Sequence, residues 1–244
     1  MMIGDCAGTN GGTPWNTATI IESSTSGTYS NFFLAWVNEP GDVVFFGGGG
    51  SSNPQLLLER AAGGRDTVAS VNSTSGPLTQ ALPYQVNDNG DVSYLGRDFT
   101  TGERFLAVWD ESTGVPMTYV TESDGFDFST GVDPAINTNG LLVFSRNVGA
   151  PSFGPIYYSD GTGFDVLIEN GDPLFGDTVL GVISGFALNN SDQVAFFYML
   201  NNESSPGAGD NTFGLAIVQV PEPASMSLLW LCGAALICRR RFAA

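Results

Sequence analysis

The chain has 244 residues, with 8 Arg, no Lys and no His against 25 acids, for a net charge of −17. Without imidazole or ammonium groups it has no Ser-His-Asp triad, no Ser-Lys dyad and no His-ligated zinc, and so acidic a surface repels nucleic acid phosphates. Hydrophobic residues make up 42%, enough to fill a core, while 32 Gly and 13 Pro signal a turn-rich fold.

In chain order, residues 1–19 lack a charged stretch followed by an apolar core of about 7 to 15 residues, so no export signal is read there. Gly4-Asp5 and Gly8 echo Gly171-Asp172 and Gly176, and the expectation is that the true start lies upstream of Met1. Cys6 stands alone outside the apolar tail, which holds Cys232 and Cys238, so residues 1–219 form no internal disulfide. Trp15, between Pro14 and Asn16, is a candidate exposed sugar-stacking residue; Trp36 and Trp109 sit in strand patterns and are expected in the core.

A repeat then dominates. Asn38-x-x-Gly41-x-x-x-Phe45 recurs at Asn87, Gly90 and Tyr94, at Asn137, Gly140 and Phe144, and at Asn189, Asp192 and Phe196, with spacings of 49, 50 and 52. A period near 50 means stacked or radial supersecondary units. Asn opens an Asx-type turn, Gly supplies positive φ at its end, and the following residues alternate as a strand. Asp in the fourth copy also tolerates the left-handed region. Val43 with Phe45, Val92 with Tyr94, Leu142 with Phe144 and Val194 with Phe196 form one face of the equivalent strands.

Second strands are expected over residues 56–58, 105–109, 155–158 and 215–218, and third strands at 119–120 and 166–168, each short and bounded by Gly, Asp or Ser. No segment before Ala224 holds helical periodicity over three turns. The predicted fold is therefore all-β: a propeller-like array of about four 50-residue repeats spanning residues 1–219. The Asn-x-x-Gly-x-x-x-aromatic unit resembles the tandem NxxGxxAF repeats of exported, anchored bacterial proteins, over about residues 17–218. That resemblance implies a propeller-like fold and no known activity. Residues 17–22 and 32–37 read as late strands of a unit, so two arrangements stay open: a ring closed by both termini, or an open piece of a larger propeller. The segment from Asn201 to Thr212 reads as an insertion between strands.

The acids offer limited chemistry. Asp124, Asp127 and Asp133 share one inter-strand loop, and Asp172 and Asp177 another, which keeps a paired-carboxylate glycosidase in play. Asp beside Gly is also ordinary turn chemistry. Asn87-Asp88-Asn89-Gly90-Asp91 clusters oxygens but lacks the ligand order of a calcium loop, and the other copies keep turn formers rather than ligands. No cofactor and no metal are expected, and no catalytic residue is assigned.

The tail is the most specific signal. Val220-Pro221-Glu222-Pro223 precedes 15 uncharged residues, 224–238, which are followed by Arg239, Arg240 and Arg241. As a helix that stretch spans about 22 Å, short for a hydrocarbon core of about 30 Å, and it crosses if the Arg side chains snorkel and the bilayer thins. Three flanking Arg hold its C-terminal side in the cytoplasm and place residues 1–219 outside. The tail, residues 220–244, resembles the PEP-CTERM sorting signal of exported bacterial proteins. The resemblance implies recognition of Pro221, Glu222 and Pro223 by an exosortase, a membrane protease-transpeptidase, and delivery to the cell surface. It also implies association with exopolysaccharide. The function read from the sequence is thus an exported, surface-anchored structural or binding protein, with no enzyme activity and no nucleic acid partner. A secreted carbohydrate-active enzyme using a carboxylate pair is the alternative.

Overall fold

The computed structural model describes residues 29–48, 53–72, 77–128, 132, 134–145, 154–201 and 212–221. These residues build an all-β architecture of four four-stranded antiparallel sheets, the strands of each sheet lying side by side in chain order. The first sheet holds β1 (Asn31–Val37), β2 (Val43–Gly48), β3 (Gln55–Glu59) and β4 (Arg65–Ser70). The second holds β5 (Leu78–Val86), β6 (Val92–Asp98), β7 (Arg104–Asp110) and β8 (Val115–Thr121). The third holds β9 (Ala135–Ile136), β10 (Leu142–Ser145), β11 (Ile156–Ser159) and β12 (Phe164–Ile168). The fourth holds β13 (Pro173–Leu174), β14 (Asp177–Leu188), β15 (Gln193–Asn201) and β16 (Thr212–Gln219). The only helical turn among the described residues is a 3-10 turn at Glu122–Asp124.

Each Asn-x-x-Gly unit is the turn into a sheet's central hairpin. Asn38, Asn87, Asn137 and Asn189 follow β1, β5, β9 and β14, and their side-chain carbonyls accept backbone N–H groups two to four residues on. Gly41, Gly90 and Gly140 sit at φ 95°, 92° and 79°, and Asp192 takes φ 57° in the fourth copy. The turn therefore survives the loss of Gly, as the tolerance of Asp for this region allows.

The second and third sheets are apolar on both faces because each packs between two neighbours. Val44, Leu56 and Leu58 of the first sheet share a core with Val92, Tyr94, Ala107 and Trp109 of the second. Leu95, Leu106 and Val108 of the second pack with Ile136, Leu142 and Phe144 of the third. Val143, Ile156 and Ile168 of the third pack with Val194, Phe196 and Ala216 of the fourth. The order of cores is thus first to second, second to third and third to fourth. Phe45, Tyr94, Phe144 and Phe196 are 5%, 2%, 0% and 1% exposed, at corresponding places of the four β2-type strands.

The second and third strands expected from the sequence fall in β3, β7, β11, β16, β8 and β12. The expected assignment of residues 32–37 to a late strand is corrected. They lie in β1, which pairs with β2 as the first strand of its own sheet, because the Asn38 turn joins the two directly. No blade is shared between the ends among the described residues; residues 17–22 lie outside them. The Asn201 to Thr212 connection does join β15 to β16. Trp109 is buried, but Trp36 is 44% exposed, since β1 is an edge strand with a neighbour on one side only.

Candidate functional site

The repeated turns gather on one side of the stack and bond to one another. Asn38 Nδ2 donates to the Asn87 carbonyl at 2.8 Å, Asn87 Nδ2 to the Asn137 carbonyl at 2.8 Å, and Asn137 Nδ2 to the Asn189 carbonyl at 3.0 Å. A second rail runs beside the first: Asn89 Nδ2 donates to the Thr138 carbonyl and Asn139 Nδ2 to the Asn190 carbonyl. One Asn thus closes its own turn through Oδ1 and ties that turn to the next sheet through Nδ2. Sequence reading found the turn and missed the tie, because a side chain's second partner lies about 50 residues away.

Between this row of turns and the β7–β8 hairpin lies an open groove of about 870 Å³. Val115, Pro116 and Met117 make its apolar side, Tyr119 its floor, and Asp91, Asp110 and Glu111 its acidic rim. Met117 and Tyr119 of β8 both line the groove, Tyr119 from the point where the β8 register shifts against β7. The Tyr119 hydroxyl donates to the Gly140 carbonyl at 2.9 Å. Burial, with the charges of Asp91, Asp160 and Asp110 around it, pushes this phenol up to about 12. Tyr119 therefore keeps its proton at neutral pH.

The rim carboxylates are held by the backbone. Asp91 accepts from Asn87 Nδ2 at 2.8 Å and from the Glu111 amide at 3.0 Å. Asp110 accepts the Ser112 hydroxyl at 2.7 Å and the Ser112 amide at 2.8 Å, and these bonds hold its carboxyl below the usual range. Glu111 pairs with Arg60, which also bonds Asp66. The groove thus offers fixed negative charge beside an apolar wall. That combination suits a cation or a polyhydroxylated ligand with one apolar face.

Of the acids singled out from the sequence, Asp124 and Asp172 accept hydrogen bonds that close turns. Asp124 accepts the Thr121 amide and hydroxyl and closes the 3-10 turn. Asp172 accepts the Glu169 amide, and Asp177 begins β14 opposite Leu174. Asp127 is described; Asp133 lies outside the described residues. In the Asn87 turn the oxygens already have partners, Asp88 accepting the Glu39 amide at 3.1 Å. No group of three or more acids or Cys suited to a metal occurs among the described residues.

Pro221 is exposed and directly follows buried Val220 at the end of β16. Glu222, Pro223, residues 224–238, and Arg239, Arg240 and Arg241 lie outside the described residues, as do Trp15 and all three Cys. Among the described residues no helix is long and apolar enough to cross a membrane.

No family model matches the chain, and no curated protein matches it. Among solved structures it is similar to the crystal structure of a triple arginine-to-alanine mutant of AofleA from Arthrobotrys oligospora, at 11% identity and a TM-score of 0.39. The match covers 77% of this chain and 57% of that one, so the chain spans somewhat over half of its length.

Proposed function

We propose that the chain is an exported, surface-anchored structural or binding protein: a propeller-like array of four repeats followed by a PEP-CTERM-type sorting signal. Pro221, Glu222 and Pro223 are the residues an exosortase-type membrane protease recognises. Residues 224–238 form a transmembrane helix, and Arg239, Arg240 and Arg241 keep its end in the cytoplasm. The bulk of the chain then lies outside the cell, held in the envelope or released to the surface after processing, with exopolysaccharide as its matrix.

The observation that carries the non-enzymatic part is the use made of the carboxylates. On the groove rim Asp110 has its carboxyl lowered, chiefly by the Ser112 hydroxyl, and Asp98, Glu103 and Asp160 are likewise lowered by hydrogen bonds in turns outside the groove. A glycosidase needs one carboxylic acid held protonated near neutral pH, which requires the opposite shift. In this reading the groove is a binding surface for the matrix. The groove itself favours a second reading, a carbohydrate-active enzyme working with Asp91 and Asp110, since it places two carboxylates beside an aromatic floor.

One experiment separates the readings. The full chain, extended upstream if an earlier start is found, is incubated with a panel of bacterial and plant polysaccharides, following both retention and release of reducing ends. The proposal expects retention without release, and retention lost in Met117→Asp. Release that vanishes in Asp110→Asn with the circular dichroism unchanged would establish the enzyme.

A further inference from the structure

Among the described residues the stack of sheets ends at its fourth member. In the first three turns the Asn side chain donates to the next turn. Asn189 Nδ2 donates to Gln193 Oε1 of its own sheet at 3.0 Å, as Asn38 does to Asp42 and Asn87 to Asp91. Gln219 Nε2 reaches back to the Ser191 and Asp192 carbonyls at 3.0 and 3.2 Å.

The apolar face is not terminated. Phe197 and Leu215 are cross-strand partners, as are Ala195 with Ile217 and Met199 with Phe213. By register, Leu215 corresponds to Leu56, Leu106 and Ile156 of the preceding sheets. Those three are 0%, 1% and 1% exposed, because each is covered by the next sheet, whereas Leu215 is 60% exposed. Phe197, Phe213 and Ile217 are 51%, 62% and 68% exposed. Among the described residues nothing covers this face. β15 and β16 carry no charged residue, in a chain with 33. What docks there must be apolar.

Chain connectivity names the occupant. Five chain steps, with four residues between, separate Gln219, the end of β16, from Ala224, the first residue of the uncharged tail segment. Fully extended they reach about 17 Å. Once residues 224–238 are in a bilayer, the uncovered face is tethered at the headgroup layer, and Phe213, Leu215 and Ile217 are the nearest large apolar side chains of the folded part. An uncharged face also avoids the repulsion that so acidic a chain otherwise meets at an anionic surface. We infer that the outer face of the fourth sheet lies on the outer leaflet, with Phe197, Phe213, Leu215 and Ile217 inserted at the interface. The sheet then acts as a second, monotopic contact that supports a short span. This rests on the anchoring proposed above and adds to it a stated orientation of the stack on the membrane.

The test uses the full chain in phosphatidylcholine vesicles, with the photoreactive amino acid benzoylphenylalanine placed at Phe213 in one variant and at Val115 in another. Both sites are exposed, so neither change disturbs a core. Irradiation should give phospholipid adducts at position 213 and none at 115. Adducts of position 213 with a second chain would make the face a dimer contact, adducts with residues 224–238 would make it a seat for the chain's own tail, and absence of adducts would leave it in water; each overturns the inference. Alkaline carbonate extraction of the same vesicles reports the anchor separately. A chain retained in the pellet without lipid adducts keeps the anchor and loses the docked face, and a chain that is extracted loses both.

Discussion

Asp192 accepts a 2.6 Å hydrogen bond from Asn137 Nδ2 across 55 positions of sequence, and a 3.1 Å bond from Asn139 Nδ2. The residue that breaks the Asn-x-x-Gly pattern is thus a fastener between the third and fourth sheets. In sequence it reads as a Gly substitute that the turn tolerates. The structure gives it a reason: the carboxylate bonds both Asn rails at their last step, something Gly cannot do.

Asp192→Gly should therefore destabilise, although it restores the pattern and relieves a non-Gly residue at φ 57°. Two charge-assisted bonds are lost against a small conformational gain, for a net cost of about 1 kcal/mol in urea denaturation. Asp192→Asn, which keeps one acceptor, should fall between. A more stable Asp192→Gly protein would mean that backbone strain outweighs the cross-sheet bonds.

The Asn rail predicts a ranking. Asn87→Ala leaves the buried Asn137 carbonyl without its side-chain donor, strips Asp91 of another, and frees two turn amides. The cost is expected at about 2–4 kcal/mol. Asn189 is exposed and its side chain bonds only within its own sheet, so Asn189→Ala should cost about 1 kcal/mol. Equal costs would show that the bonds between sheets add nothing beyond the turn itself.

Much of this was legible in the sequence. The four turns, the hairpin strands after them and the buried aromatic of each copy are local chemistry: an Asx turn, a positive-φ residue and period-two alternation. The strands before each Asn were less visible. β5 reads LTQALPYQV with a Pro inside, β9 is two residues long and β14 runs through Gly181 and Gly185, so their pairing comes from tertiary partners rather than pattern. The groove was not legible, because Met117 and Tyr119 meet the Asn139-Gly140 turn of the next repeat only after the sheets stack. Trp36 shows the converse, a strand-like aromatic exposed because its strand lies at an edge.

Gly90→Val should be among the most damaging single changes in a turn. The position has φ 92°, and a Cβ there would meet the Arg60 guanidinium, which bonds Asp66 and Glu111. A loss above about 2 kcal/mol is expected from backbone strain plus displacement of Arg60. Gly63→Ala, with φ 92° but open space around the added carbon, isolates the backbone part and should cost about 1 kcal/mol. Similar losses at the two sites would remove the Arg60 contact from the account.

Stability should fall in alkali through identified groups. Burial pushes Tyr94 up to about 12 from its ordinary 10.0. A folded-state value above the unfolded one means that this contribution is fully present below pH 10 and is lost as pH rises toward 12, by roughly 2–3 kcal/mol for a shift of two units. Tyr94→Phe should flatten the decline of urea midpoint between pH 10 and 12, at some cost at neutral pH. An unchanged decline would place the alkaline sensitivity elsewhere.

The central claim is that the tail is an address read at Pro221, Glu222 and Pro223 and that the folded repeats are its cargo. The measurement that tests it most directly is the fate of a triple Pro221→Ala, Glu222→Ala, Pro223→Ala variant. It is expressed from its native gene in a host carrying the matching exosortase and followed by surface proteolysis and gel mobility. The account predicts that the wild type is shortened and reaches the surface, while the variant is exported, stays at full length and remains in the membrane with its repeats outside. Processing and surface display of the variant at the wild-type level would contradict it.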